Sequence, residues 1–191
     1  MATAKEMAAI LAPVLSGYPD WRYARGWLFR LPIGYYVRGV AFKGSWTDRG
    51  AYEIKRFVFP LFDFTVDGHN GWSMSYPIPG TPNHGWKVFH PSFADALVEV
   101  MEKEINPKVA HIQRGSDFLR YLTEHYTMHG WQDNGKALAY VHMGDLAKAR
   151  EHLTIVAEYF KEARLTRLTQ PDAWGHNLLE LLRLIDEDPA A

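Results

Sequence analysis

The stretch Ile33–Phe64, IGYYVRGVAFKGSWTDRGAYEIKRFVFPLFDF, decides the fold. Two β-prone runs, Tyr35–Lys43 and Tyr52–Phe62, flank GSWTDRGA, whose glycines and Asp48 are turn formers. Together they predict an antiparallel hairpin. Apolar residues occupy both parities in FVFPLF, so that end of the second run is expected to be covered on both faces. Pro60 has no N–H to give to a ladder, which places it at a strand end, a bulge or an edge.

Upstream of the hairpin, Met7, Ile10, Leu11, Val14 and Leu15 recur at helical spacing and predict a helix over Ala2–Leu15, closed by Gly17 and Pro19. The second half of Trp21–Leu31 reads as a short strand that Pro32 and Gly34 break. Downstream, Asp67-Gly68 and Asn70-Gly71 are turn dipeptides, Trp72–Tyr76 reads as a strand, and the prolines of Pro77–Gly85 predict an irregular loop. From His90 onward the hydrophobic period changes from two to 3.6. Ser92 is the predicted N-cap of a helix that Asn106-Pro107 ends, with Phe93, Leu97, Val100, Met101 and Ile105 on its apolar face. Ser116 is the predicted cap of the next helix. Gly130 and the Asp133-Asn134-Gly135 cluster separate it from a long helical segment starting at Lys136, and a final helix is expected over Trp174–Asp186. The expected fold class is therefore α+β: an antiparallel sheet of four to five strands in the N-terminal half, from Trp27 to Val88, covered by an N-terminal helix and a C-terminal group of helices. Residues 1–90 form the mainly β region and 91–191 the helical region of what reads as one compact domain.

Composition narrows the function classes. With 191 residues, 47% apolar and 23% charged, the chain is long enough for a real core and has ordinary globular proportions. The 21 basic and 22 acidic residues leave a formal net charge of -1, so nucleic acid and anionic membrane find no strong electrostatic footprint. The arginines of the first half, Arg22, Arg25, Arg30, Arg38, Arg49 and Arg56, are expected to lie solvated on strand faces. Cysteine is absent, which excludes disulfides, thiolate metal sites and cysteine nucleophiles. No apolar run approaches the roughly 18 to 20 residues that span a bilayer. The start, MATAKEMAAILAPVLSG, reads as a helix of a cytoplasmic protein rather than a signal peptide.

The segment Tyr140–Leu153, YVHMGDLAKAREHL, places an aromatic before a Gly144-Asp145 turn and then a small residue, Ala149, and a large apolar one, Leu153. In this it resembles the middle of a single tetratricopeptide-type repeat. No second copy follows at a period of ~34 residues, so a stacked superhelix is not expected. The resemblance implies two helices crossing closely, with a small residue where they touch.

Candidate chemistry is scattered. His125 and His129 lie four apart in a predicted helix, a separation that one metal ion bridges, with His142 or Asp117 as nearest third ligands. The loop DFTVDGHN gathers Asp63, Asp67, His69 and Asn70, residues that also suit a tight turn. His84, Trp86 and His90, with Trp72 beside them, are suited to stack and hydrogen-bond a planar ligand. No nucleophile elbow, phosphate-cradling loop, dinucleotide fingerprint or H-E-x-x-H occurs, and no cofactor is implied. The expected function is non-catalytic: a cytoplasmic adaptor or bacterial immunity-type protein that binds another protein, or a second copy of itself, through aromatic anchors at Trp46, Trp72, Trp86 and Trp131. The alternative is a small-molecule or metal-binding enzyme with a histidine-containing pocket between sheet and helices, using His69, His84, His90, His125 and Asp67.

Overall fold

The computed structural model describes residues 2–45, 48, 50–61, 72–76, 85–125, 131–162, 183–184 and 186–187, of which 72–76, 131 and 160–162 by backbone alone. The chain is α+β. It divides into two compact units: Met1–Phe59 with Ser73–Ile112, and Pro60–Trp72 with Gln113–Ala191.

The first unit opens with α1, Ala4–Gly17, started by a capping box in which Thr3 and Glu6 satisfy each other's backbone N–H. Met7, Leu11 and Val14 form its buried stripe. Strands β1 (Trp21–Ala24), β2 (Trp27–Arg30), β3 (Tyr36–Gly44), β4 (Ala51–Pro60) and β5 (Trp72–Tyr76) follow in spatial order, and the two-residue β6 (Trp86–Lys87) pairs with β4. The expected hairpin is thus β3–β4, and Pro60 ends β4. Phe57, Val58 and Pro60 are buried as the mixed parity requires, whereas Leu61, one residue past the strand, is 55% exposed.

One strand was not expected. Trp21–Leu31 is a hairpin in its own right, with Trp21 opposite Arg30 and Ala24 opposite Trp27. Its turn is Arg25-Gly26, with φ of 48° and 87°. Positive φ at both central residues is the geometry that matches strand twist. Arginine in the first of these positions hides the signal that Asn-Gly or Asp-Gly would give.

Successive buried residues Tyr36, Arg38, Val40 and Phe42 on β3, and Ile54, Arg56 and Val58 on β4, show the period of two. Helix α2, Phe93–Val100, covers this face, with the Phe93 ring 6.5 Å from Phe42. On the other face Trp27 meets Phe57 edge-on, centroids 4.7 Å apart. Two of the arginines expected in solvent are therefore core residues: Arg38 and Arg56 are 2% and 1% exposed.

The helix beginning at Phe93 does not end at Asn106-Pro107. It widens into a π-type turn over Met101–Ile105 and continues as α3, Asn106–Val109. The wide turn restarts the helical register, so Pro107 falls in a first turn, where its missing N–H and fixed φ are tolerated. Tyr18 Oη donates to Glu102 Oε1 at 3.0 Å, tying the end of α1 to this segment. Burial and then the Glu102 carboxylate raise that phenol above its ordinary value.

The second unit contains α4 (Gly115–His125), α5 (Trp131–Met143) and α6 (Leu146–Glu162). Asp117 rather than Ser116 starts α4: its carboxylate accepts the Gln113 and Arg114 N–H groups at 3.2 and 3.1 Å. Gly115 lets the start of α4 lie close against α5. A Cβ on it would lie 2.8 Å from the Ala139 carbonyl oxygen of α5. Asp133-Asn134-Gly135, expected as a separator, lies inside α5, with Asn134 and Gly135 buried. Packing overrides the turn propensity of all three. Between α5 and α6 the chain turns at Gly144, φ 77°, and the Asp145 carboxylate accepts the Lys148 N–H at 3.2 Å, which holds its pKa below the usual carboxylate range. Ala137, Leu138, Ala139, Ala149, Leu153 and Val156 are buried. Of the expected final helix, Arg183, Leu184 and Asp186 are helical, as is Glu187 just past it, and the rest lies outside the described residues.

Candidate functional site

β6 pairs with the start of β4, Ala51 opposite Lys87 and Tyr52 opposite Trp86. Alternation through Trp86, Lys87, Val88 and Phe89 then sorts the side chains. Trp86 and Val88 point inward at 2% and 1% exposure, and Phe89 is left 52% exposed. The Trp86 ring lies edge-on to Phe93 at 6.0 Å, in the core.

The backbone under Phe89 is held from several sides. Val88 N–H donates to the Gly50 carbonyl at 3.0 Å and His90 N–H to the Lys87 carbonyl at 2.9 Å. Ser45 N–H reaches the Ala51 carbonyl at 2.8 Å, and Ala51 N–H the Asp48 carbonyl at 3.1 Å. Asp48 Oδ1 accepts the Gly50 N–H at 3.0 Å, while Oδ2 meets Lys87 Nζ. The Lys87 ammonium, then the Gly50 N–H, hold the Asp48 carboxyl below the usual range. A Cβ on Gly50 would come within 3.2 Å of Phe89 Cδ2, so glycine is what lets the ring lie against the turn. Beside it, exposed His90 sets Nδ1 2.7 Å from Ser92 Oγ, which fixes the imidazole at the entrance to α2. An aromatic face, an imidazole and an ion pair thus lie together on backbone tied to the β3–β4 turn.

The predicted site residues do not converge. Trp46, His84 and His129, and the loop candidates Asp63, Asp67, His69 and Asn70, lie outside the described residues. Trp72 lies in β5 and Trp131 begins α5. Trp86 and His90 do share one segment, on opposite sides of it. His125 sits at the end of α4 with its ring 5.5 Å from Tyr121, edge-on. Asp117, eight residues away in the same helix, is separated from it by about 12 Å of rise. His142 belongs to the same far end, since its Nδ1 lies 3.5 Å from a Cβ built on Gly115. Among the described residues no three His, Cys, Asp or Glu side chains gather as a metal site would need.

The second unit holds a polar contact that spacing did not reveal. His152 Nδ1 of α6 lies 2.9 Å from Asp133 Oδ1 of α5, both largely buried, and its ring stacks on Tyr140 at 5.4 Å and 8°. Lys148 Nζ lies 5.3 Å from the centroid of the Tyr140 ring. The arrangement fixes one helix against the next. The two residues are 19 apart, so no local pattern announces them. Phe89, by contrast, was readable: the alternation that buries Trp86 sends Phe89 outward.

No protein-family model, curated protein or solved structure matches this chain. Among the described residues no helix is long and apolar enough to cross a membrane.

Proposed function

We propose that this is a non-catalytic recognition protein that binds another protein through the surface around Phe89, His90 and the β3–β4 turn. One observation carries the reading: Phe89 stands 52% exposed on backbone that Val88 N–H ties to the β3–β4 turn. An isolated exposed apolar residue is ordinary. A pre-ordered one is different, because an aromatic anchor on a rigid support loses little conformational entropy when it is covered. Trp46, which falls between β3 and β4 in sequence, is the second anchor of the proposal. The near-neutral charge agrees with recognition by shape and apolar contact rather than by electrostatic steering. An adaptor or a bacterial immunity-type protein is the setting such a surface fits.

The test is native mass spectrometry of the chain purified gently from its own source, beside a Phe89→Ala variant. A central aromatic anchor is worth ~2 kcal/mol or more, about a 30-fold loss of affinity. The expected result is a protein partner carried by the wild type and lost from the variant. Equal retention of that partner by Phe89→Ala overturns the proposal, and a Phe89-dependent dimer would reassign the surface to a second copy of the chain.

A further inference from the structure

Arg38 is buried to 2% exposure on the helix-covered face of β3. Its two described hydrogen bonds both come from Nη1 and both are long, 3.4 Å to the Pro32 carbonyl and 3.3 Å to the Tyr36 carbonyl. Nε is buried and has no hydrogen-bond partner among the described residues. The register Leu28 opposite Val40 and Phe29 opposite Gly39 brings Arg30 alongside Arg38 one residue further on. Asp20, the acid whose field reaches Arg38, is already engaged by Arg30 Nε at 2.5 Å. Among the described residues this corner of the sheet therefore carries two guanidiniums and one carboxylate.

Such an excess is costly inside a protein. A buried charge is tolerated when it is paired, and a guanidinium cannot escape by losing its proton. Burial, then the neighbouring Arg30, push the Arg38 group below its ordinary value, with Asp20 opposing them. The part of the group left over is specific. Nη1 serves the two carbonyls and Nε has no partner among the described residues, so the Nε side of the group is left over; that side of a guanidinium takes a carboxylate or phosphate through two parallel hydrogen bonds. The Nη1 contacts hold the two ends of the β2–β3 connector. Its residues Pro32, Ile33, Gly34 and Tyr35 are all exposed, so this connector is the side nearest to solvent.

We propose that the Nε edge of Arg38, with Arg30 beside it, binds the oxyanion group of a small molecule, a carboxylate or a phosphate. The ligand supplies the negative charge that this corner lacks.

The experiment uses the full chain and two probes, inorganic phosphate and acetate, each titrated at constant ionic strength while the arginine Nε–H resonances are followed by NMR. One resonance, assigned to Arg38 by through-bond connectivity in the wild type, is expected to move and saturate, while resonances of exposed arginines such as Arg22 move little. Response to phosphate alone identifies a phosphate ligand; response to both identifies the carboxylate class. Arg38→Lys keeps the charge and removes the edge, and should abolish the saturable rise of the thermal midpoint with anion. If that variant does not fold, the wild-type resonance still decides. An Arg38 Nε–H that neither anion moves, or that moves only in step with every other arginine, overturns the proposal. So does an Arg38 signal that ignores both anions but shifts on Asp63→Asn or Asp67→Asn, because the chain then supplies its own counter-charge.

Discussion

Arg38 in the sheet unit and Asn134 in the helical unit set the same problem in two media. Both are buried, Arg38 at 2% and Asn134 at 0% exposure, and both carry polar atoms that find no partner among the described residues: Nε in one, Oδ1 and Nδ2 in the other. Each unit also has a glycine where two backbones touch, Gly39 in β3 and Gly115 at the start of α4. The difference is charge. An orphaned amide costs about 1–3 kcal/mol and nothing further. An uncompensated guanidinium costs more, and it creates a standing demand for an anion. A neutral orphan is a defect the fold carries, whereas a charged one points toward a ligand.

The largest expected effect tests how closely the sheet around Arg38 is packed. A Cβ on Gly39 would lie 2.0 Å from the Leu28 carbonyl oxygen and 2.8 Å from Phe29 Cα. Both obstacles are backbone of the paired strand, so neither can swing aside. Gly39→Ala should cost about 3 kcal/mol by forcing β2 and β3 apart, read as a fall in the urea midpoint at unchanged slope. A loss under about 0.5 kcal/mol, the level of a surface substitution, would mean that the two strands are not in this contact.

Gly115→Ala is the helical counterpart and should cost less. Its new methyl meets the Ala139 carbonyl oxygen at 2.8 Å, but the second obstacle at 2.8 Å is Met143 Cγ, the flexible stem of a side chain that is 40% exposed. Alanine also favours helix over glycine by up to about 1 kcal/mol. The net loss should be about 1–2 kcal/mol. A loss equal to that of Gly39→Ala would show that the helices are as unyielding at their crossing as the strands.

These sites also explain which parts of the molecule its sequence disclosed. The β3–β4 hairpin was legible because two β-prone runs flank the turn formers of GSWTDRGA, and because Pro60 has no N–H to continue a ladder. The Arg25-Gly26 turn was not, since the positive φ of Arg25 is set by strand pairing rather than by residue type. Asp133-Asn134-Gly135 misled for the opposite reason: a strong local turn signal yields when tertiary packing buries the helix through it. Arg38 and Arg56 follow the inward parity of their strands. Composition argued for solvent, parity argued for burial, and parity prevailed. At the candidate site the same alternation distinguishes Phe89 from Trp86, a distinction that counting tryptophans obscures. The Asp133–His152 contact had no such signal, because pairing across two helices depends on how they cross.

The smallest expected effect has the opposite sign and bears most directly on the contrast between the two orphans. Asn134→Leu keeps the number and branching of side-chain heavy atoms while removing two unpartnered polar atoms from a fully buried position in α5. Leucine is also the better helix former. The orphaned amide is a neutral defect on this account, so its removal should stabilise the chain by about 1 kcal/mol, seen as a higher urea midpoint with an unchanged slope. The competing account is that buried water, or a bound molecule, satisfies the amide. Leucine would then destroy a satisfied group and overfill its space, and the midpoint would fall. The direction of that one shift therefore says whether the helical unit carries its buried polar group as a defect or, as proposed for Arg38, as half of a binding site.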